Sequence, residues 1–313
     1  MRQYRDRQNA GKSIGDRIAD FVDRHMCGVF ITPAFLVTIL LLAYPICISV
    51  YYSFTNKSLL GKAVKFVGFN NYVSVLQNPE FYHALWNTLV YTVISLSLQL
   101  FFGFIVALSL HKINRFKGMF RTLVLIPWAF PMIIVTFTWS YLLNDLYGIV
   151  NAKLLHWNLI AQPIQFLANP KIAMLTVSLI NVWFGVPLFA INILASLQTI
   201  SRDLYEAAQI DGAGKFKQML HVTLPAIMPT IIILLIMNVG NIMNVGFEKI
   251  ILMYSPATYE TADVISTYVY RRGILGSQFS FSASVGLFNS VINFALLFTV
   301  NKISNRVSEI SLW

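Results

Sequence analysis

Charge is what this sequence has least of. Only 12% of its 313 residues are Asp, Glu, Lys or Arg, about half the roughly 25% of a soluble domain, whereas 57% are hydrophobic. A soluble fold of this length needs polar residues to cover its surface. The composition therefore excludes a soluble enzyme, a disordered chain and a secreted disulfide scaffold, and a mean hydropathy of +0.65 points to an integral membrane protein. Cysteine is nearly absent. Cys27 and Cys47 stand 20 residues apart, about 30 Å along one helix, which is beyond disulfide reach. Patterns for metals and nucleophiles are missing too. His25, His83, His111, His156 and His221 have no metal-ligand spacing, and neither His-Glu-x-x-His nor Cys-x-x-Cys occurs. Gly11-Lys12-Ser13 resembles the end of a phosphate loop, but Asp6 stands where that loop needs its first glycine. The chain is not expected to hydrolyse ATP. Basic residues outnumber acidic ones, 23 against 13. In a membrane protein that excess follows from Lys and Arg collecting on the cytoplasmic side, so nucleic acid is not expected as a partner.

What is present is long apolar runs. Stretches free of Asp, Glu, Lys, Arg and His exceed the ~20 residues of a spanning helix at 26–56, 84–110, 122–144, 172–201, 222–247 and 273–301. Six membrane helices are expected, each shorter than its stretch or tilted. The stretch 154–168 includes His156, Asn158, Gln162, Pro163 and Gln165 and reads as a loop or interfacial piece. The first run is about twice a signal-peptide apolar core and no small-residue cleavage site follows it, so it is expected to stay as a helix. Fifteen Lys and Arg fall on one side of these spans and eight on the other, which predicts both termini in the cytoplasm. Ahead of the first span, Ile14, Ile18, Phe21 and Val22 form one helical stripe, with Asp16, Arg17, Asp20, Asp23 and Arg24 off it. That is the pattern of a helix lying on the inner membrane surface, with a frayed tail as the bland alternative. The expected organisation is a cytoplasmic segment 1–27, a six-span domain 28–302 with a cytoplasmic loop 199–224, and a cytoplasmic tail 303–313. Spans without ionisable side chains weigh against proton-coupled transport and intramembrane hydrolysis, which need such groups at depth.

The loop between the fourth and fifth spans carries the most specific pattern. Asp203-Leu204-Tyr205-Glu206 has capping-box spacing, which puts Glu206 in the first turn of a short helix, where the helix dipole favours a carboxylate. Leu204, Ala207 and Ala208 give that helix one apolar side, and Gly212 and Gly214 break it. A second short helix over 216–221 then leads to Leu224-Pro225, with Pro suited to the first turn of the next span. Two short helices joined at a glycine make a compact knob, able to pass force from a soluble partner to the membrane helices.

Glu206-Ala207-Ala208, Gly212, Val222 and Leu224-Pro225 resemble the signature of bacterial ABC-importer permeases, which usually have Ile where Val222 stands. Phe66-Val67-Gly68-Phe69-Asn70-Asn71-Tyr72, Pro79, Phe81 and Asn87-Thr88 are similar to the sugar (maltose-permease-like) branch, as are Pro127, Pro131, Trp139, Gly148 and Asn151. Many sugar permeases carry Gly-Gly-Pro after the fifth span. Here Phe247-Glu248-Lys249-Ile250, Tyr254-Ser255-Pro256-Ala257, Ala262-Asp263-Val264-Ile265 and Tyr268-Val269-Tyr270-Arg271-Arg272-Gly273 look like the branch serving oligosaccharides and polysaccharide fragments. The resemblance covers about residues 30–302. It implies an all-α integral membrane protein of the type I ABC-importer permease fold, with six transmembrane helices and a cytoplasmic coupling helix, set among lipid in the bacterial cell membrane. It also implies a half-transporter, paired with a second and usually different permease chain. Two ATP-binding subunits would carry the ATP and Mg, and an extracytoplasmic solute-binding protein would deliver sugar. Coupling to the ATPase subunit would fall to Glu206, Ala207, Ala208, Gly212, Leu224 and Pro225. No cofactor, metal or catalytic residue is expected in this chain. Permeases for other solutes share the knob, so a non-sugar solute stays open, as does a stand-alone secondary transporter.

A sugar path needs uncharged polar groups that match hydroxyls, and aromatic faces for the sugar ring. Asn238, Asn241 and Asn244 recur at i, i+3, i+6 in the fifth span; Asn181 and Asn192 lie in the fourth, and Asn289 and Asn293 in the sixth. A buried Asn in lipid is costly unless it has partners or faces a wet cavity. Two readings stand for these residues, cavity lining and hydrogen bonding between helices. Trp139, Tyr141 and Trp183 are candidates for ring stacking or for the interfacial aromatic belt.

Overall fold

The computed structural model describes residues 26–58, 64–113, 115–239 and 246–308. The amphipathic segment 13–25, Asn241, Asn244 and the tail beyond 308 lie outside them. Among the described residues there is one extended pairing, a bridge between Thr55 and Phe66, and the rest of the regular structure is helical.

Helix α1 runs through Met26–Thr38, a π turn at Ile39–Ala43, and Tyr44–Ser53. Nearly all of its side chains are exposed, and it meets the bundle through its last turn. The short α2 (Asn70–Gln77) sits against that turn, with the Asn71 amide donating to the Ser53 and Thr55 carbonyls at 2.7 Å each. In α3 (Pro79–Lys112), Asn78 caps by accepting from Glu80 N at 2.9 Å, and Pro79 fills the first turn. Helices α4 (Lys117–Ala129) and α5 (Met132–Leu142) are bent by 84° from one another. Pro131 drives the break, because it forces the preceding Phe130 into an extended conformation (ψ 143°). A short helix, α6 (Ile149–His156), ends inside the stretch 154–168 that reads as a loop. Next come α7 (Ala173–Leu197), α8 (Arg202–Ile210) and the long α9 (Lys215–Val239). The chain ends with α10 (Phe247–Met253), α11 (Ile265–Tyr270) and α12 (Phe279–Ser308).

Helices α1, α3, α7, α9 and α12 are long and apolar enough to cross a membrane, and the bent pair α4–α5 supplies a sixth crossing if it counts as one. Five of the expected six spans are thus located, and the sixth with them if the bent pair is one crossing, with four differences. The third is broken at Pro131. The fifth is helical as far as Val239 among the described residues, and a new helix starts at Phe247. The sixth starts at Phe279 rather than 273 and runs past 302. The separate helix expected over 216–221 does not exist: a π turn at Met219–Thr223 carries Lys215 straight into the fifth span.

Helices α3 and α7 run side by side and form the most extensive pairing in the bundle. Small residues let them approach: a Cβ on Gly103 would lie 2.8 Å from Phe189 Cβ, and one on Gly185 would collide with the Gln99 side chain. At one end of this pair Ala107 and Leu110 pack on Ile193, Leu197 and Ile227. At the other, Tyr91 packs on Met174, Val177 and Ile250.

Two segments that resemble sugar permeases meet at the N-terminal end of α3. The Asn87 amide donates to the Glu260 and Asp263 carbonyls at 3.0 and 3.1 Å, and Ile265 N donates to Thr88 Oγ1 at 2.9 Å, which seats α11 on α3. Ion pairs complete the joint: Arg271 to Asp263 at 2.7 Å, Arg271 to Glu80 at 3.3 Å and Arg272 to Glu80 at 2.9 Å. Burial pushes the Asp263 carboxyl up from its ordinary range, opposed by the hydrogen bonds from Thr267 and Arg271.

Candidate functional site

The knob at one end of the bundle is built from its caps. Ser201, not Asp203, caps α8, its hydroxyl accepting from Asp203 N at 3.2 Å. The helix therefore starts at Arg202, Asp203 takes the first turn, and Glu206 falls in the second. The dipole falls off within a turn, so it favours Asp203 rather than Glu206. Gly212 has φ +75° and closes α8 with a Schellman turn: Gly212 N donates to Gln209 O at 3.0 Å and Ala213 N to Ala208 O at 2.8 Å. A side chain there has free space but an unfavourable backbone. The knob is tied to α9 by the Tyr205 and Thr223 hydroxyls at 2.9 Å and by the Gln218 amide donating to Ala213 O at 2.7 Å. Leu224 packs onto the cluster of Ala107 and Leu197. Glu206, Ala207 and Pro225 are exposed and Ala208 is half-buried. Beside them Ile210 is 87% and Phe216 71% exposed, an apolar surface left uncovered among the described residues.

Within the bundle two cavities share a wall. The larger, about 660 Å³, lies among α10, α11 and α12 and is lined by Glu248, Lys249, Ser266, Asn289, Ser290 and Asn293 with apolar neighbours. The smaller, about 200 Å³, lies among α3, α7 and α9 and is lined by Thr92, Ser95, Gln99, Asn181 and Asn238, again with Lys249. The larger falls within the roughly 300–1,000 Å³ of small-molecule clefts. Four of the sequence-named asparagines therefore face cavities, in two pairs. Asn238 donates its amide to Leu234 O at 2.8 Å, and Asn289 Oδ1 is buried without a hydrogen-bond partner among the described residues.

The remaining candidates stand elsewhere. Asn192 is exposed, and its amide donates to Leu188 O at 2.8 Å in its own helix. It lines neither of these cavities, because eleven residues along α7 move it towards the knob. Trp139 and Trp183 meet edge to face at 5.5 Å, and Trp139 packs against the cluster holding Tyr91 and Met174. Tyr141 lines a separate cavity of about 690 Å³ between α5 and α10, beside Tyr147 at 5.2 Å.

Sequence reasoning missed Lys249. Its apolar run stops at Phe247, so Glu248 and Lys249 read as the far side of a span. Gly246, at φ +84°, instead turns the chain so that α10 packs against α5 and α7. A Cβ on Gly246 would sit 2.9 Å from Ile250 Cδ1 and 3.1 Å from the Tyr91 ring, so glycine is needed for both conformation and space. The turn buries Lys249 to 9% exposure. Its ammonium donates to Asn181 Oδ1 and stands 5.3 Å from the centre of the Phe184 ring. Asn181 is about 12 Å along α7 from its start, so a cation abuts a spanning helix at depth. The available signal was a glycine inside an apolar run with a charged pair directly behind it.

The family model described as binding-protein-dependent transport system inner membrane component matches residues 99–309. Protein LplB of Bacillus subtilis (strain 168) is 34% identical over 259 residues, covering 80% of this chain and 78% of the relative. The polygalacturonan/rhamnogalacturonan transport system permease protein YteP of the same organism is 32% identical over 249 residues, covering 78% and 76%. In the crystal structure of a bacterial ABC transporter involved in the import of the acidic polysaccharide alginate, one chain is 30% identical. The likeness covers 93% of this chain and 99% of that one, with a TM-score of 0.82.

Proposed function

The chain belongs to the family of inner-membrane components of binding-protein-dependent transport systems, and on that premise we propose that it is one permease subunit of an ATP-driven importer of saccharides, oligosaccharides above all. The observation that carries this reading is that relatives named for polysaccharide transport match it over most of its length, in sequence and in fold. The cavities support it, since amides and hydroxyls in their walls suit a polyhydroxyl solute. Asn238, Asn181, Asn289 and Asn293 hold sugar along the path, with Asn241 and Asn244 continuing the set that begins at Asn238.

Both termini and the knob face the cytoplasm, as the Lys and Arg asymmetry supports. Two ATP-binding subunits, with their ATP and Mg, dock there, and a second permease chain completes the path. A solute-binding protein delivers sugar from the other side. Glu206, Ala207, Ala208 and Gly212 form the docking face, and Leu224 and Pro225 pass its displacement into α9. The exposed Ile210 and Phe216 beside that face support the assignment.

Purification with co-expressed partners, followed by a screen of oligosaccharides for stimulated ATP hydrolysis, tests the reading. Stimulation by a saccharide carried on the binding protein is expected. Stimulation by amino acids or peptides, with none by saccharides, would overturn it.

A further inference from the structure

Lys249 is the residue that the saccharide reading leaves without a task. Burying an ammonium is expensive unless an opposite charge compensates it. Here the direct contacts are neutral, an amide oxygen from Asn181 and the face of Phe184, and the neighbouring Glu248 carboxylate acts only from a distance. Among the described residues no carboxylate comes within 4.0 Å of Lys249 Nζ. Glu248, next along α10, is exposed at the wall of the larger cavity. The gap 240–245 adds no ionisable side chain. Both cavities are lined by Lys249, and around it stand amides and hydroxyls from α3, α7, α9, α11 and α12. An ionisable group at membrane depth that faces a cavity marks a substrate or ion pathway by default.

We infer that Lys249 selects saccharides that carry a carboxylate, of the uronate type, by supplying the one buried positive charge on the wall shared by the two cavities. The inference rests on the saccharide reading and adds the charge of the substrate to it. A sugar carboxylate entering either cavity gains a charge-assisted hydrogen bond from Nζ. The Asn181 amide nitrogen and the Asn289 side-chain oxygen are left for its hydroxyls. A neutral sugar gains no such bond. Asn181 orients the ammonium through its side-chain oxygen. It is held in turn through its main chain, whose carbonyl accepts from Gln99 Nε2 at 3.0 Å. Glu248 weighs less than Lys249, because an exposed charge is screened by solvent and a buried one is not.

The test measures direct binding to the assembled transporter in lipid nanodiscs, trapped with vanadate and without the binding protein. The probes are trigalacturonate, trimannuronate and the methyl ester of each, which keeps the sugar and removes the charge. Wild type should bind at least one acid tenfold or more tighter than its ester. Lys249→Met and Lys249→Gln should bind that acid and its ester alike, near the wild-type affinity for the ester, and Lys249→Arg should restore the preference. The glutamine variant keeps a donor for Asn181, so it tests the charge if the methionine variant fails to assemble. Equal binding of acids and esters by wild type would overturn the inference while the saccharide reading stands. A preference that survives in both neutral variants would remove Lys249 from it. Binding of none of the four probes would overturn the inference, and the saccharide reading then stands or falls on the ATP-hydrolysis screen above.

Discussion

At Gly212 the chain must turn left-handed, and an L side chain resists that turn. A β-branched substitution costs about 1–2 kcal/mol locally and displaces the Schellman bonds that end α8. Gly212→Val is therefore expected to lower sugar-stimulated ATP hydrolysis and uptake at least fivefold, with unchanged yield of the membrane subunit after detergent extraction. Full activity in this variant would remove the bend from the coupling path. Glu206→Lys reverses a charge on the exposed face without altering a cap, because the capping hydroxyl belongs to Ser201. It should detach the ATP-binding subunits in co-purification while the spans stay folded. Among the asparagines, Asn289→Ala separates two roles. Loss of uptake with normal assembly supports sugar contact, whereas loss of assembly with normal transport by the assembled remainder supports hydrogen bonding between helices. Asn241→Ala permits the same separation in the fifth span.

Elements were legible where one physical rule governed them. Apolar runs without charge located the five long spans and the bent pair α4–α5, because hydrocarbon admits few alternatives to a long helix. The end of α8 was legible for a similar reason: Gly212 is the residue type a left-handed turn requires. Its start was not. Asp203 and Ser201 are both good caps, and the backbone bond from Asp203 N decides between them. Pro131 sits inside an apolar run, where composition cannot distinguish a tolerated kink from a break of 84°. Lys249 escaped because charge was used to define where spans stop, so a cation folded back into the bundle was read as outside it. The Asn87-Thr88 and 262–273 segments were recognised separately, and their contact became visible only in three dimensions.

That contact carries its own prediction. Asp263 has 3% of its side chain exposed and Arg271 20%. Arg271→Met leaves a buried carboxylate unpaired, which costs up to about 3 kcal/mol, the low end for such a break because Arg271 partly meets solvent. The melting temperature of the purified transporter should fall. Asp263→Asn together with Arg271→Met should recover part of the loss, since no uncompensated charge then remains. A double variant as unstable as the sum of the two single ones would show that the two side chains, which bracket α11, do not act as a pair.

In the proposed topology the bundle has two working ends on opposite sides of the membrane. With Cys27 and Cys47 replaced, a cysteine at position 70 should react with an impermeant reagent from outside intact cells, and one at position 215 only after permeabilisation. Both positions are exposed, so burial would not explain a failure to react. The reverse pattern would invert the topology and take the knob away from the ATP-binding subunits.

If this chain moves saccharide only as part of an ATP-driven assembly, uptake of a labelled oligosaccharide into proteoliposomes, with components omitted one at a time, will show it. Uptake is expected when this chain, the second permease, the ATP-binding subunits, ATP and the loaded binding protein are all present, and background uptake when any one is left out. Sustained uptake by this chain alone, or uptake driven by an ion gradient without ATP, would contradict it.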